Sequence, residues 1–139
     1  MKTIKLISWF LGIAMFAFGI LKVLSPTING WFAVQMKNSG VEAYIPMWVG
    51  ITGEIVVGLT LIFSLLINKN FANKNFNIII QLASAAILPM MITAIYVHLQ
   101  PNVPAEVLPL KIKPPIIPVV FLLLALANIY LIQREIKTR

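Results

Sequence analysis

The chain contains no cysteine and no aspartate. Disulfide exchange, thiolate catalysis and cysteine-held metals or clusters are therefore excluded within it, so any redox chemistry needs a bound cofactor or a partner. Charge is scarce as well: 11% of the 139 residues are charged, against about a quarter in an ordinary soluble domain. No phosphate-binding glycine loop, nucleophile elbow or dinucleotide fingerprint follows any strand-like run, which leaves no intrinsic redox or nucleophilic motif. Sequence repeats and low-complexity tracts are absent too.

What the chain has in abundance is apolar surface, with 60% hydrophobic residues and a mean hydropathy of +0.94. Water is not its main solvent. Four apolar runs are long enough to cross a bilayer, at about 4–24, 46–67, 78–99 and 115–133. The predicted fold is all-α, an integral membrane four-helix bundle in a single transmembrane domain over 1–139. The first run begins like a secretory signal, but it is longer than a signal core, carries Lys22 and lacks a small-x-small cleavage site, so it reads as a retained helix. Pro89 is expected to kink the third span, and the fourth reads as the shortest.

The formal net charge of +7 raises the question of nucleic acid, yet no basic helix or aromatic stacking platform lies outside the spans. Its distribution points to the lipid bilayer instead. Lys2, Lys5, Lys69, Lys74, Arg134, Lys137 and Arg139 fall at one end, whereas Lys37, Lys111 and Lys113 fall at the other, with Lys22 at its edge. The richer end is predicted to face the cytoplasm, with both termini inside and the two longer loops outside. In a bacterium this is the inner membrane. In the first loop, Pro26 and Gly40 bracket a short interfacial helix, with Trp31, Phe32 and Met36 read as head-group anchors rather than ligand contacts. The second, Gln100 to Lys113, holds three prolines and is followed by Pro114, Pro115 and Pro118, which predicts a stiff, extended, non-helical lid.

Charged side chains within spans cost about 2.5–3.5 kcal/mol each at the bilayer centre, so each requires an explanation. Glu54 lies six residues beyond Trp48, about 9 Å along a helix axis, too deep for its short side chain to reach the interface. Lys22 lies one turn from the outer end of the first span. Gly12, Met15, Gly19 and Lys22 share one face, as do Gly50, Glu54, Gly58 and Leu61, and such small-residue stripes mark close packing. Because the two helices run in opposite directions, Lys22 and Glu54 reach similar depth and are predicted to pair. The competing reading has Lys22 snorkelling to the surface, with Glu54 protonated or held by neighbouring hydroxyls such as Thr52 or Thr93. His98, the one histidine, belongs to the same layer, as a hydrogen-bonded cap on a pocket or a proton-handling group. A metal would have to be held by His98, Glu54 and Glu106, and none is predicted. Asn128 reads as an interhelical hydrogen-bonding residue.

Three segments, GILKVLSP at Gly19 to Pro26, GITGEIVVGL at Gly50 to Leu59 and YVHLQPNVPAEVLPLKIKPPIIP at Tyr96 to Pro118, resemble the DoxX-like family of small bacterial membrane proteins. The resemblance spans the chain, with the lysine, the glutamate and the proline-rich loop in the family's order. It implies a four-helix membrane bundle and, for some relatives, association with oxidoreductase systems handling quinone, sulfur compounds or oxidative stress. The broader group also includes an animal chaperone of receptor assembly, so the fold carries several uses. The residues it singles out are Lys22, Glu54, His98 and Gln100, with Glu106, Lys111 and Lys113 in the outer loop. Two functions are expected from these readings. One is an accessory or scaffolding subunit of an oxidoreductase-linked membrane complex, docking a membrane protein or a second copy. The alternative is a site that binds or acts on a quinone or lipid, with no cofactor otherwise evident. Ion or solute transport is a weaker third, since the inner half lacks charged stepping stones.

Overall fold

A computed structural model describes residues 1–138. Four helices are long and apolar enough to cross a membrane: α1 (Lys2–Leu24), α3 (Met47–Ile67), α4 (Lys74–Leu99) and α5 (Ile116–Thr138). Even the 21 residues of α3 reach about 31 Å at helical rise, the thickness of a bilayer core. A fifth helix, α2 (Pro26–Asn38), lies in the first long connection, where the sequence placed an interfacial helix. Ser25 caps it by accepting from the Ile28 amide, proline occupies its first turn, and Gly40 follows with φ +79, a left-handed conformation that suits glycine. No strand occurs among the described residues.

The four spans form an antiparallel ring in which α1 and α4 each contact both α3 and α5. The start of α1, the end of α5 and the connection between α3 and α4 lie at one end, and α2 with the proline-rich loop covers the other. Leu11, Met15, Leu61, Ile80, Ile87 and Ala125 fill the interior, while Leu6, Phe63, Leu82 and Leu123 face outward. This outward apolar belt needs lipid. Trp31, Tyr44, Trp48 and Tyr96 are exposed near the α2 end, where amphipathic rings suit a membrane interface.

The closest helix pair is α1 with α3. A methyl placed on Gly58 would lie 2.5 Å from the Phe16 amide nitrogen and 2.8 Å from the Gly12 carbonyl oxygen, so only glycine permits the approach. Polar nodes hold the rest of the bundle. Asn128, fully buried, donates to Ser8 Oγ at 2.9 Å and Ser84 Oγ at 3.0 Å, joining α5 to α1 and α4 as its position in the sequence suggested. At the end carrying the termini, Asn68 donates to Asn77 Oδ1 at 2.7 Å, and Asn77 donates to the Phe71 carbonyl at 3.0 Å. These contacts hold the buried Phe71 ring under the bundle.

Three details differ from the sequence expectation. α5 is not the shortest span, because its helix continues through the helix-favouring residues 133–138, and α3 is shorter. α4 starts at Lys74 rather than near residue 78, since Asn73 accepts from the Asn75 amide and caps it there. The 100–113 loop is not wholly extended. It contains 3-10 turns at Ala105–Val107 and Pro109–Lys111, because Pro104 and Pro109 preset the backbone for turning.

Candidate functional site: an ion pair and a cavity under the loop end

The last turns of α1 carry Lys22 towards the first turns of α3, which carry Glu54 the opposite way. Lys22 Nζ donates to Glu54 Oε1 at 2.7 Å and to Oε2 at 2.8 Å, and the two side chains are only 14% and 13% exposed. Close helix approach makes this possible. A methyl on Gly19 would lie 2.9 Å from the Ile55 amide nitrogen and 3.0 Å from Glu54 Cβ, so the missing side chain, one turn before Lys22, lets the backbones meet. Lys22 does not snorkel but turns inward, and the two hydroxyls do not hold Glu54, since Thr93 donates to the Pro89 carbonyl at 2.9 Å and Thr52 is exposed.

α2 completes the enclosure. The Phe32 ring stands 4.0 Å from Lys22 Nζ, a cation–π contact, and Asn29 donates to the Lys22 carbonyl at 2.9 Å. Phe32 is thus an inward-facing residue rather than a head-group anchor, and Met36 is buried against the loop residues Val103 and Leu108. Of the three, only Trp31 is exposed.

His98, at the end of α4, is 4% exposed, and its Nδ1 lies 3.2 Å from the Lys113 carbonyl oxygen. A carbonyl only accepts, so Nδ1 donates, and the ring ties α4 to the segment entering α5. Lys113 itself points back into the loop, with Nζ donating to the carbonyls of Gln100 at 2.5 Å and Val103 at 2.6 Å. Gln35 of α2 donates to the Val107 carbonyl, and Asn38 to that of Asn102 at 2.9 Å. The lid is therefore fastened on both sides.

Lys22, Glu54 and His98 border one cavity of about 650 Å³. Its other walls include Phe18, Phe32, Met90 and Phe121, with Gly53 leaving space on the α3 side. The volume is within the usual range for small-molecule sites, about 300–1,000 Å³, and the lining has their usual character of apolar walls with a few polar groups. Gln100, Glu106, Lys111 and Lys113 do not join the cluster. The Gln100 side chain folds back onto the Tyr96 carbonyl at 3.3 Å, Lys113 is held within the loop, and Glu106 and Lys111 are exposed. Among the described residues no three metal-ligating side chains converge, so Glu54, His98 and Glu106 are not brought together.

The sequence reading did not identify Phe32 or Gln35 as cavity residues. Their signal was present in the i, i+3 spacing, which puts both on one face of α2, but a face gains meaning only once the bundle beneath it is known. No family model, curated protein or solved structure matches this chain.

Proposed function

We propose that this DoxX-like membrane protein binds a lipophilic small molecule, of the lipid or quinone kind, in the cavity beneath α2 and the proline-rich loop. The observation that carries the reading is the cavity itself, a largely apolar space of about 650 Å³ bordered by the Lys22–Glu54 pair and by His98. A bundle that served only as a scaffold would gain stability by filling that space, because unfilled apolar volume weakens packing. The scaffolding role expected from the sequence has the outward apolar belt in its favour, but lipid covers such a belt equally well. The bacterial inner membrane, with the termini in the cytoplasm, remains the proposed setting, supported by the seven basic residues at the terminal end.

The test is mass spectrometry of small molecules retained by protein extracted in native lipid. Gly53→Phe serves as a plug, since a Cβ there meets only Met90, at 3.4 Å or more, and the ring can grow into the cavity. A retained species depleted in Gly53→Phe and altered in Glu54→Gln supports binding. Identical profiles in all three proteins, with a stoichiometric membrane partner co-purifying, would support scaffolding instead.

A further inference from the structure

The wall of the cavity is not equally closed on all sides. Between α1 and α3 it is shut by backbone contact, since a methyl on Gly19 would lie 2.9 Å from the Ile55 amide nitrogen. Between α1 and α5, Phe121 packs on Phe18 and Phe10, with ring centroids 5.8 and 5.4 Å apart. The end of α4 is joined to the segment entering α5 through His98 and the Lys113 carbonyl. The α3–α4 side is different. A methyl on Gly53 would have within 4 Å only the terminal methyl of Met90, at 3.4 Å, and its sulfur, at 3.8 Å, so no α4 backbone comes near. At this level a flexible thioether side chain is what stands between the two helices.

Two wall residues show that this seam reaches the outer surface. Val49 lines the cavity, yet it lies on the stripe of α3 that carries Val56 and Phe63 at seven-residue spacing, and all three are exposed. Pro89 lines the cavity too, and on α4 it shares a stripe with Leu82 and Tyr96 at the same spacing, again all exposed. Both residues border the cavity and the outside at once, as the rim of an opening does. The opening lies within the hydrocarbon layer. Trp48 and Tyr96 are exposed rings that mark the interface, and Gly53 and Pro89 lie about 8 and 10 Å deeper along their helices. Leu21, Trp31 and Leu110 make a second exposed stretch of wall, but Leu21 is in the last turn of α1 and Leu110 belongs to the loop, which puts that stretch at head-group level.

Resting on the binding function proposed above, we infer that the ligand is an amphiphile with a long hydrocarbon tail, and that this tail leaves the cavity between α3 and α4, past Met90, to end in the bilayer. The head stays beneath α2 and the loop, beside the Lys22–Glu54 pair. Acyl or alkyl lipids and long-tailed quinones share this tail chemistry. Because the part of the tail beyond Met90 is in lipid before and after binding, the cavity volume sets no limit on its length.

The test takes alkylglycerols and alkylbenzoquinones, each with a dodecyl or an octacosyl tail, as the lipid and quinone arms. Binding to the unmodified protein in lipid nanodiscs is measured per mole fraction of probe in the bilayer, so that partitioning cancels. An octacosyl tail is itself larger than the cavity. Tails that pass into lipid should give equal affinities at the two lengths, to within about twofold, since the added methylenes stay in an apolar medium throughout. A tail that had to be enclosed would bind more weakly at the greater length by about fivefold or more, the cost of overfilling a packed space. A diazirine at the end of the dodecyl tail should label α3 near Val49 and α4 near Pro89, and excess probe without the diazirine should suppress that labelling. Equal affinities in either arm support the inference, and the arm that binds identifies the head group. Loss of octacosyl binding, or labelling confined to the interior at Phe18 and Phe121 or to the rim at Leu21 and Leu110, overturns it. If Gly53→Phe still abolishes dodecyl binding in those cases, the cavity function survives without it. Failure of every probe, or binding unchanged in Gly53→Phe, overturns both.

Discussion

Replacing Lys22 with methionine keeps a long side chain and removes its charge, leaving Glu54 against Phe32 and the α1 backbone without its bidentate partner. With both groups less than one-sixth exposed, at 14% and 13%, little water reaches in to compensate. Removing one member of such a pair costs about 3–5 kcal/mol, whereas replacing both with apolar residues of similar volume is often neutral. Lys22→Met and Glu54→Met should therefore each destabilise the bundle by about 3 kcal/mol or more, and the double variant should recover most of that loss. The magnitude discriminates, because ordinary hydrogen bonds between membrane helices average about 0.6 kcal/mol in double-mutant cycles. Unfolding free energy in bicelles, measured by steric trapping, provides the four corners of the cycle. Costs that add to within about 0.5 kcal/mol would refute the reasoning, since they would mean that the two groups act independently despite their 2.7 Å separation.

The remaining predictions concern packing, the central node and the lid. Gly58→Ala should destabilise by about 1–3 kcal/mol through overpacking against Phe16, while Gly30→Ala in α2, with nothing within 4 Å, should be neutral or stabilising by up to about 1 kcal/mol; the same unfolding assay reads both, and equal effects would contradict the α1–α3 contact. Asn128→Leu strips Ser8 of its partner and should cost about 1–2 kcal/mol, with an unchanged unfolding free energy counting against a joining role. Lys113→Met releases the carbonyls of Gln100 and Val103, so hydrogen exchange in residues 100–113 should accelerate relative to α4 and α5; unaltered exchange would show that the lysine does not fasten the loop.

Much of the architecture was legible because bilayer thickness is a simple constraint. Four apolar runs of sufficient length could become little other than spanning helices, and Ser25, Pro26 and Gly40 marked α2 with ordinary capping chemistry. The Lys22–Glu54 pair was also legible, since opposite helix directions and shared glycine faces fix depth and orientation together. What escaped were features set by convergence of several elements. Ser8 and Ser84 are unremarkable in spans, and only the packed bundle shows that both meet Asn128. The asparagines at 68 and 77 carry no pattern that would show their side chains closing over Phe71. A cavity is a place where packing stops, and no residue encodes it alone. Gln100 was misjudged because its backbone carbonyl, not its side chain, is what the loop uses.

The distribution of close packing explains why the cavity lies at only one end. Gly12 and Gly58 draw α1 onto α3 below the ion pair, Asn128 ties α5 to both neighbours, and Phe71 fills the space at the end carrying the α3–α4 connection. Beyond Gly19 and Gly53 that logic reverses: the helices are spanned by a charged pair and covered by α2 and the loop rather than packed on one another. The loop end is also where fastening consists of discrete polar contacts, Gln35 to Val107, Asn38 to Asn102 and Lys113 to two carbonyls. Contacts of this kind each contribute about 0.5–1.5 kcal/mol net and can open singly, whereas the glycine seam and the buried asparagine node yield only when the bundle unfolds. On the binding function proposed above, a molecule would exchange at the end carrying α2 and the proline-rich loop, whose contacts are discrete, with the closely packed opposite end as the floor.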